Sequence, residues 1–331
     1  MFAATTITPL HWTGFIVCIL IFLALDLGVF HRRAHVVKFK EALLWSIVWF
    51  ACAMLFAFVV APAMADSWTR QDTLTFITGY VIELSLSMDN VFVIALIFAY
   101  FCVPPAFQHR VLFWGILGAL VMRGVMIGVG VAVIREFEWV LYIMGMFLVY
   151  SGVKMVFGAG EEVHPEKNVV IRLARKFYPV TPGYDGQHFF TRLDGRRALT
   201  PLALVLLCVE TTDLIFAVDS IPAIFGVTNN GFIIFTSNVF AILGLRSLYF
   251  VLAGAIDFFR YLKTGLAIVL AFIGIKMLLD PHGHEPKWFQ KEISTTLSLV
   301  IVAGIILLSI AASIIVGKRE AKKKDEPPSA P

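Results

Sequence analysis

Charge is scarce in this chain. Of its 331 residues only 15% are Asp, Glu, Lys or Arg, against about 25% in an ordinary soluble domain. Apolar residues make up 59%, and the mean hydropathy is +0.84. A soluble core of this length still needs a polar skin, so the shortage of charge excludes an ordinary water-soluble domain. Cysteine is scarce too. Cys18, Cys52, Cys102 and Cys208 stand singly, with no CxxC pair and no Cys/His spacing for zinc; they read as small buried hydrophobes. Nucleotide loops are missing: Gly158-Ala-Gly160 fits neither GxGxxG nor GxxxxGK[ST]. No catalytic constellation is present, so the expectation is a protein that is not an enzyme and has no resident cofactor. Residues 1–11 lack a basic n-region, and no small-residue cleavage site follows the first apolar run. That run reads as a retained helix, not a signal peptide.

What is there is long apolar runs. A span needs about 20 such residues, and nine stretches qualify: 12–30, 41–65, 74–100, 111–134, 139–157, 199–225, 232–255, 264–280 and 296–316. The reading is an all-α membrane protein with a polytopic domain over residues 1–316. Segment 158–198 is rich in Pro and Gly and reads as a loop with one short amphipathic helix around Val169–Phe177. The tail, 317–331, is basic and Pro-rich, and disorder is expected there.

Orientation follows from the basic residues. With the N-terminus outside, 19 of the 27 Lys and Arg fall on inside segments and 4 outside. This is the positive-inside pattern, and it puts the N-terminus outside and the C-terminus and 158–198 in the cytoplasm; the membrane expected is the cell's inner (plasma) membrane. His31, Arg32, Arg33, His35, Lys38 and Lys40 then lie at the anionic inner surface rather than on nucleic acid. The remaining four, Arg123, Lys154, Arg246 and Lys276, fall inside spans.

Spans three and six are anomalous. IELSLSMDNVFVIALIF holds Glu83 and Asp89; VLLCVETTDLIFAVDSIPAIF holds Glu210, Asp213 and Asp219. An acid at a helix centre costs about 2.5–3.5 kcal/mol on the insertion scale, so five cost about 12–18 kcal/mol if nothing compensates. By default they mark a site. The segments also match each other. Glu83-Leu-x4-Asp89-Asn90-Val91 aligns with Asp213-Leu-x4-Asp219-Ser220-Ile221, an Arg follows inside the next span of each (Arg123, Arg246), and Gly152-Val-Lys154-Met155 aligns with Gly274-Ile-Lys276-Met277. Spans three to five (about 74–157) thus repeat as spans six to eight (about 199–280). Three spans per unit make the second copy inverted, an architecture of secondary transporters with midplane sites on broken helices.

On an ideal helix Glu83, Ser87 and Asn90 share a face, while Asp89 points about 120° away; Asp219 stands likewise to Asp213. Local unwinding would bring each pair together, and Pro222, which clashes with the carbonyl of Val218, offers a cause in span six. Carboxylates, the Asn90 amide, and hydroxyls of Ser220, Thr211 and Thr212 are all oxygen donors. They suit Mg²⁺, Ca²⁺ or Mn²⁺ better than Zn²⁺ or Cu⁺. The expected metal set is Glu83, Asp89, Asn90, Asp213, Asp219 and Ser220, with Glu210 on the face of Asp213. The alternative is structural pairing of the acids with Arg123, Lys154, Arg246 and Lys276, and a mixed role has these bases balancing the empty site. Asp26 reads as a vestibule or snorkelling acid, and His282 and His284 as a solvated loop.

These two motifs, with LALDLGVFHR at residues 23–32, resemble the TerC family, its Alx-like branch in particular, over roughly residues 12–316. The resemblance implies Mn²⁺ export from a bacterial cytoplasm, a tellurium-resistance phenotype, and, for some members, a label of membrane-bound redox modulator. It implies acidic site positions at Glu83, Asp89, Asp213 and Asp219. Five carboxylates would repel an oxyanion such as tellurite. The leading expectation is a secondary Mn²⁺ exporter driven by protons or membrane potential, whose partners are Mn²⁺, protons and the bilayer. The alternatives are a membrane redox or assembly partner with structural acids, or an exporter of another substrate such as Ca²⁺ or an amino acid.

Overall fold

A computed structural model gives the architecture and describes residues 7–25, 39–157, 168–193, 195–253, 261–281, 290–291 and 293–325. Ten helices run α1 (Pro9–Leu25), α2 (Phe39–Met64), α3 (Arg70–Tyr100), α4 (Pro105–Glu136), α5 (Val140–Phe157), α6 (Val169–Phe177), α7 (Pro201–Phe225), α8 (Gly231–Ala253), α9 (Leu262–Leu279) and α10 (Thr295–Asp325). Eight of them are long and apolar enough to cross a membrane, and α1 is a ninth, shorter apolar helix. The nine stretches read from hydropathy therefore correspond to nine helices. The chain is a multi-pass integral membrane protein.

Local chemistry sets the ends. Thr69 caps α3 in a capping box with Asp72, so two otherwise orphaned donors are satisfied. Pro105 opens α4, and Thr200 followed by Pro201 opens α7, the positions where proline's missing N–H does no harm. In α2 a π-helical turn, Phe56–Val60, precedes Pro62. A wider turn relieves the clash of the proline ring with the preceding carbonyl.

Helix α8 is at the centre and mostly buried, while α10 is mostly uncovered and turns Leu307 and Leu308 outward. Phe76 and Tyr80 of α3 pack with Phe56 of α2 and Phe240 of α8 in one apolar cluster. The α5–α9 contact is glycine-mediated. A methyl group at Gly152 would meet the backbone oxygen of Ala267 at 2.6 Å, and one at Gly274 would meet that of Gly145 at 2.7 Å. Small residues let helix backbones approach in this way.

Three expectations need correction. Helices α3 and α7 are continuous through their acidic motifs. Pro222 lies in the last turn of α7, which ends at Phe225, so its missing N–H affects only the fraying end of the helix. The segment 158–198 holds more than one short helix: α6 matches the expected Val169–Phe177, but β1 (Phe190–Leu193) also pairs antiparallel with β2 (Arg196–Leu199). The tail is helical as far as Asp325, because Lys, Arg, Glu and Ala at 318–324 are good helix formers that propagate a helix already nucleated in the apolar stretch.

Candidate functional site

The regular backbone of α3 and α7 splits each motif in two. Glu83 is fully buried, and its Oε1 accepts from Nη1 of Arg123, which descends from α4. The same guanidinium grips Asp213 of α7 through Nε to Oδ2 at 3.3 Å and Nη2 to Oδ1 at 3.0 Å. Its Nη1 also donates to Ser220 Oγ at 3.3 Å. Asn90 Nδ2 donates to Asp213 Oδ1 at 3.1 Å. Three helices are thus cross-linked by one planar cation, whose rigid donor fork matches carboxylate geometry.

That cluster is mostly buried. Glu83 is fully buried and Arg123 is 2% exposed, while the Asp213 side chain is 11% exposed. Glu83 Oε2, Ser87 Oγ and Asn90 Oδ1, on one face of α3, are buried and have no hydrogen-bond partner in the protein. Glu210 lies against α4: a methyl group added at Gly118 would overlap its carboxylate. Its Oε2 is likewise buried without a partner.

Asp89 and Asp219, six residues beyond the first acid of each motif, are half-buried and line a separate cavity of about 160 Å³. Ser151 of α5 donates to Asp219 Oδ1 at 2.8 Å. Asn90 and Ser220 line the cavity as well, and Arg123 borders it, so the cluster forms part of its wall. Lys154 of α5 and Lys263 of α9 also contribute. A second cavity of about 840 Å³ is lined by Trp12, Asp72, Gly124, Ile127, Arg135 and Asn230, among others. Arg123 borders the first cavity and the next residue, Gly124, the second, so α4 is a wall common to both at this level.

The expected metal set is therefore divided. Among the described residues no three of His, Cys, Asp and Glu come together to hold a metal ion. The cause is geometric: Arg123 occupies the space between Glu83 and Asp213, and the 120° offset on unbroken helices sends Asp89 and Asp219 elsewhere. The four proposed counter-charges also separate. Arg123 is in the cluster and Lys154 at the cavity. Arg246 Nη1 is 3.1 Å from His109 Nε2, and Lys276 reaches the Gly226 carbonyl at 2.9 Å and Asp280 at 3.5 Å. Ser151 and Lys263 were not anticipated. Ser151 is one turn from Lys154 on the same helix face, a usable signal; Lys263 is in the first turn of α9 and reads as an ordinary flanking base. Asp26, His282 and His284 lie outside the described residues.

Buried ionisable groups within apolar spans define a membrane protein with a polar site at depth, the kind of arrangement that marks ion and proton pathways. Comparison with known proteins agrees on the class. The model of the integral membrane protein TerC family matches residues 68–321. "Uncharacterized membrane protein STKORF319" of Myxococcus xanthus is 50% identical over 311 residues, covering 93% of each chain. "Putative membrane-bound redox modulator Alx" is 44% identical over 321 residues in Salmonella typhi, covering 96% of this chain and 97% of the relative. The protein of that name in Escherichia coli K12 is 45% identical over 322 residues, covering 96% and 98%. No solved structure matches. The chain belongs to the TerC family.

Proposed function

We propose that this protein is a secondary transporter that exports Mn²⁺ from the cytoplasm, taking the ion up in the cavity that carries Asp89 and Asp219. One observation carries the reading: these two acids occupy the same place in two matching motifs, on different helices, and line one cavity. Asn90, Ser151 and Ser220 add neutral oxygens to the same wall, a hard donor set suited to Mn²⁺. Lys154 and Lys263 hold positive charge beside the acids, and an arriving divalent ion would displace that balance. Carboxylates bind protons or cations on the same oxygens, so exchange for H⁺ needs no further machinery.

The Glu83–Arg123–Asp213 cluster is the bar between the two cavities. With the N-terminus outside, the smaller cavity, edged by Lys154 and Lys263, faces the cytoplasm, and the larger one faces the other side. Opening a path between them requires Arg123 to let go of one acid. An inverted repeat gives that step a counterpart, and the α5–α9 contact supports one. Gly152 approaches Ala267 and Ala271, and Gly274 approaches Gly145 and Val149. Under the alignment of Gly152 with Gly274 these are the same contact made twice, as an isologous interface requires.

The cluster alone would also suit a membrane partner protein whose acids are structural, and close relatives carry a redox name. Flux separates the readings. Purified protein in proteoliposomes should move Mn²⁺ in exchange for protons, opposite to an imposed proton gradient, with Ca²⁺ and Mg²⁺ as competitors. Folded protein that moves no divalent ion would discard the transport reading; preference for Ca²⁺ would change the substrate and leave the site standing.

A further inference from the structure

Helix α6 has an apolar stripe that the fold does not cover. On its nine residues Val169, Val170, Leu173 and Phe177 fall on one side, with Lys176 and Arg172 flanking that stripe and Arg175 opposite it, by the helical repeat. Only Ile171 is buried; it packs in the cluster that holds Leu199, Leu202 and Ala203. The stripe is open, with Val169 65%, Leu173 52% and Phe177 69% exposed. Phe190 of the hairpin is 68% exposed and Tyr178 is exposed beside them.

Place in the fold says what covers this stripe. Ile171 docks α6 on the first turn of α7, a spanning helix that starts at Pro201. The helix thus sits level with the end of a span, where the bilayer surface must lie. Aromatic side chains gather at that level in membrane proteins, and Phe157, at the end of α5, is also widely exposed. Charge is complementary to lipid. Residues 168–200 hold six Lys or Arg (Arg172, Arg175, Lys176, Arg192, Arg196 and Arg197) against two acids, Asp185 and Asp194. A short helix with an apolar face, a basic face and low net hydrophobicity lies in the plane of the interface, and each basic residue near an anionic surface adds attraction.

We propose that α6 is an interfacial helix that seats Val169, Leu173 and Phe177 in the headgroup–acyl boundary of the protein's own membrane and holds anionic phospholipid headgroups with Arg172, Arg175 and Lys176. Nothing in this depends on what the protein transports. The occupant is the bilayer, not a second copy, because a protein partner would bury the flanking cations against an uncharged stripe, and charge is depleted at interface cores.

Photo-crosslinking tests it on the full chain. A benzophenone amino acid is placed at Leu173, an exposed position, and the protein is put in nanodiscs of mixed phosphatidylglycerol and phosphatidylcholine. Irradiation should give phospholipid adducts by mass spectrometry, with phosphatidylglycerol enriched about twofold or more over its bulk fraction. The triple substitution Arg172→Gln, Arg175→Gln, Lys176→Gln should keep the adducts and lose the enrichment. A covalent dimer as the main product, or no lipid adduct from folded protein, would overturn the proposal. Adducts at the bulk lipid ratio in the unsubstituted basic face would overturn its headgroup half. Because Leu173 substitution could disturb α6, the same probe at Phe177 is run in parallel, and the two positions must agree.

Discussion

The first and second acids of each motif stand six residues apart and live in different surroundings. Glu83 and Asp213 are pinned to Arg123, whereas Asp89 and Asp219 look into a cavity. The same residue types, repeated on two helices, form a cross-link in one place and line a cavity, the proposed cation site, in the other. What separates them is helix geometry alone: a six-residue step on an unbroken helix turns through about 120°. Clustered ions should answer to stability and cavity acids to flux.

The largest effect should come from the centre of the cluster. Arg123→Ala leaves Glu83 buried, and Asp213 largely so, without their cation, which costs about 3–5 kcal/mol by analogy with soluble proteins. Expression and detergent melting temperature should fall sharply. Adding Glu83→Gln should recover part of the loss, since one fewer charge then lacks its partner. A melting temperature indifferent to Arg123→Ala would end the distinction between the two pairs.

Next come the glycines of the α5–α9 contact. Gly152→Val and Gly274→Val each force a side chain onto facing backbone, an overpacking of about 1–3 kcal/mol. If the halves are related by a two-fold axis, the two losses should be alike; a large loss in one and none in the other would argue against it. Lys276→Met is smaller and more local. It removes the donor to the Gly226 carbonyl at a cost of about 1–3 kcal/mol, and flux per folded molecule should be unchanged. Reduced flux at full folding would return Lys276 to the site. Smallest in stability is Ser151→Ala, where one hydrogen bond to Asp219 contributes about 1 kcal/mol. Its signature should be a weaker apparent affinity for Mn²⁺ with folding intact, which would sharpen the claim that the cavity, not the cluster, meets the ion.

Much of this was legible in the residues. Hydropathy found nine apolar stretches, the amphipathic pattern located α6, and the cost of intramembrane charge drew attention to all five acids and to Arg123 as a partner. Face geometry already separated Glu83 from Asp89. The unwinding invoked to reunite them is absent, because Pro222 sits too near the end of α7 to disturb its centre. Lys276 was misplaced for a reason that sequence cannot correct: a long side chain chooses among several neighbours within reach. The Gly226 carbonyl is a contact made only in three dimensions. Lys263 was missed because the first turn of a span is where flanking bases ordinarily sit. The β1–β2 hairpin hid in a Pro- and Gly-rich stretch whose strands are four residues each, too short for alternation to stand out.

Mn²⁺ flux measured beside melting temperature for Asp89→Asn and Asp219→Asn tests the central claim most directly. Asn keeps the shape of the side chain and removes a charge that is expensive at this depth. Both variants should insert, melt at or above the temperature of the unsubstituted protein, and move no Mn²⁺. Normal flux in either one would contradict the assignment of the cavity as the cation site, and flux lost only in step with folding would contradict the division between cluster and cavity.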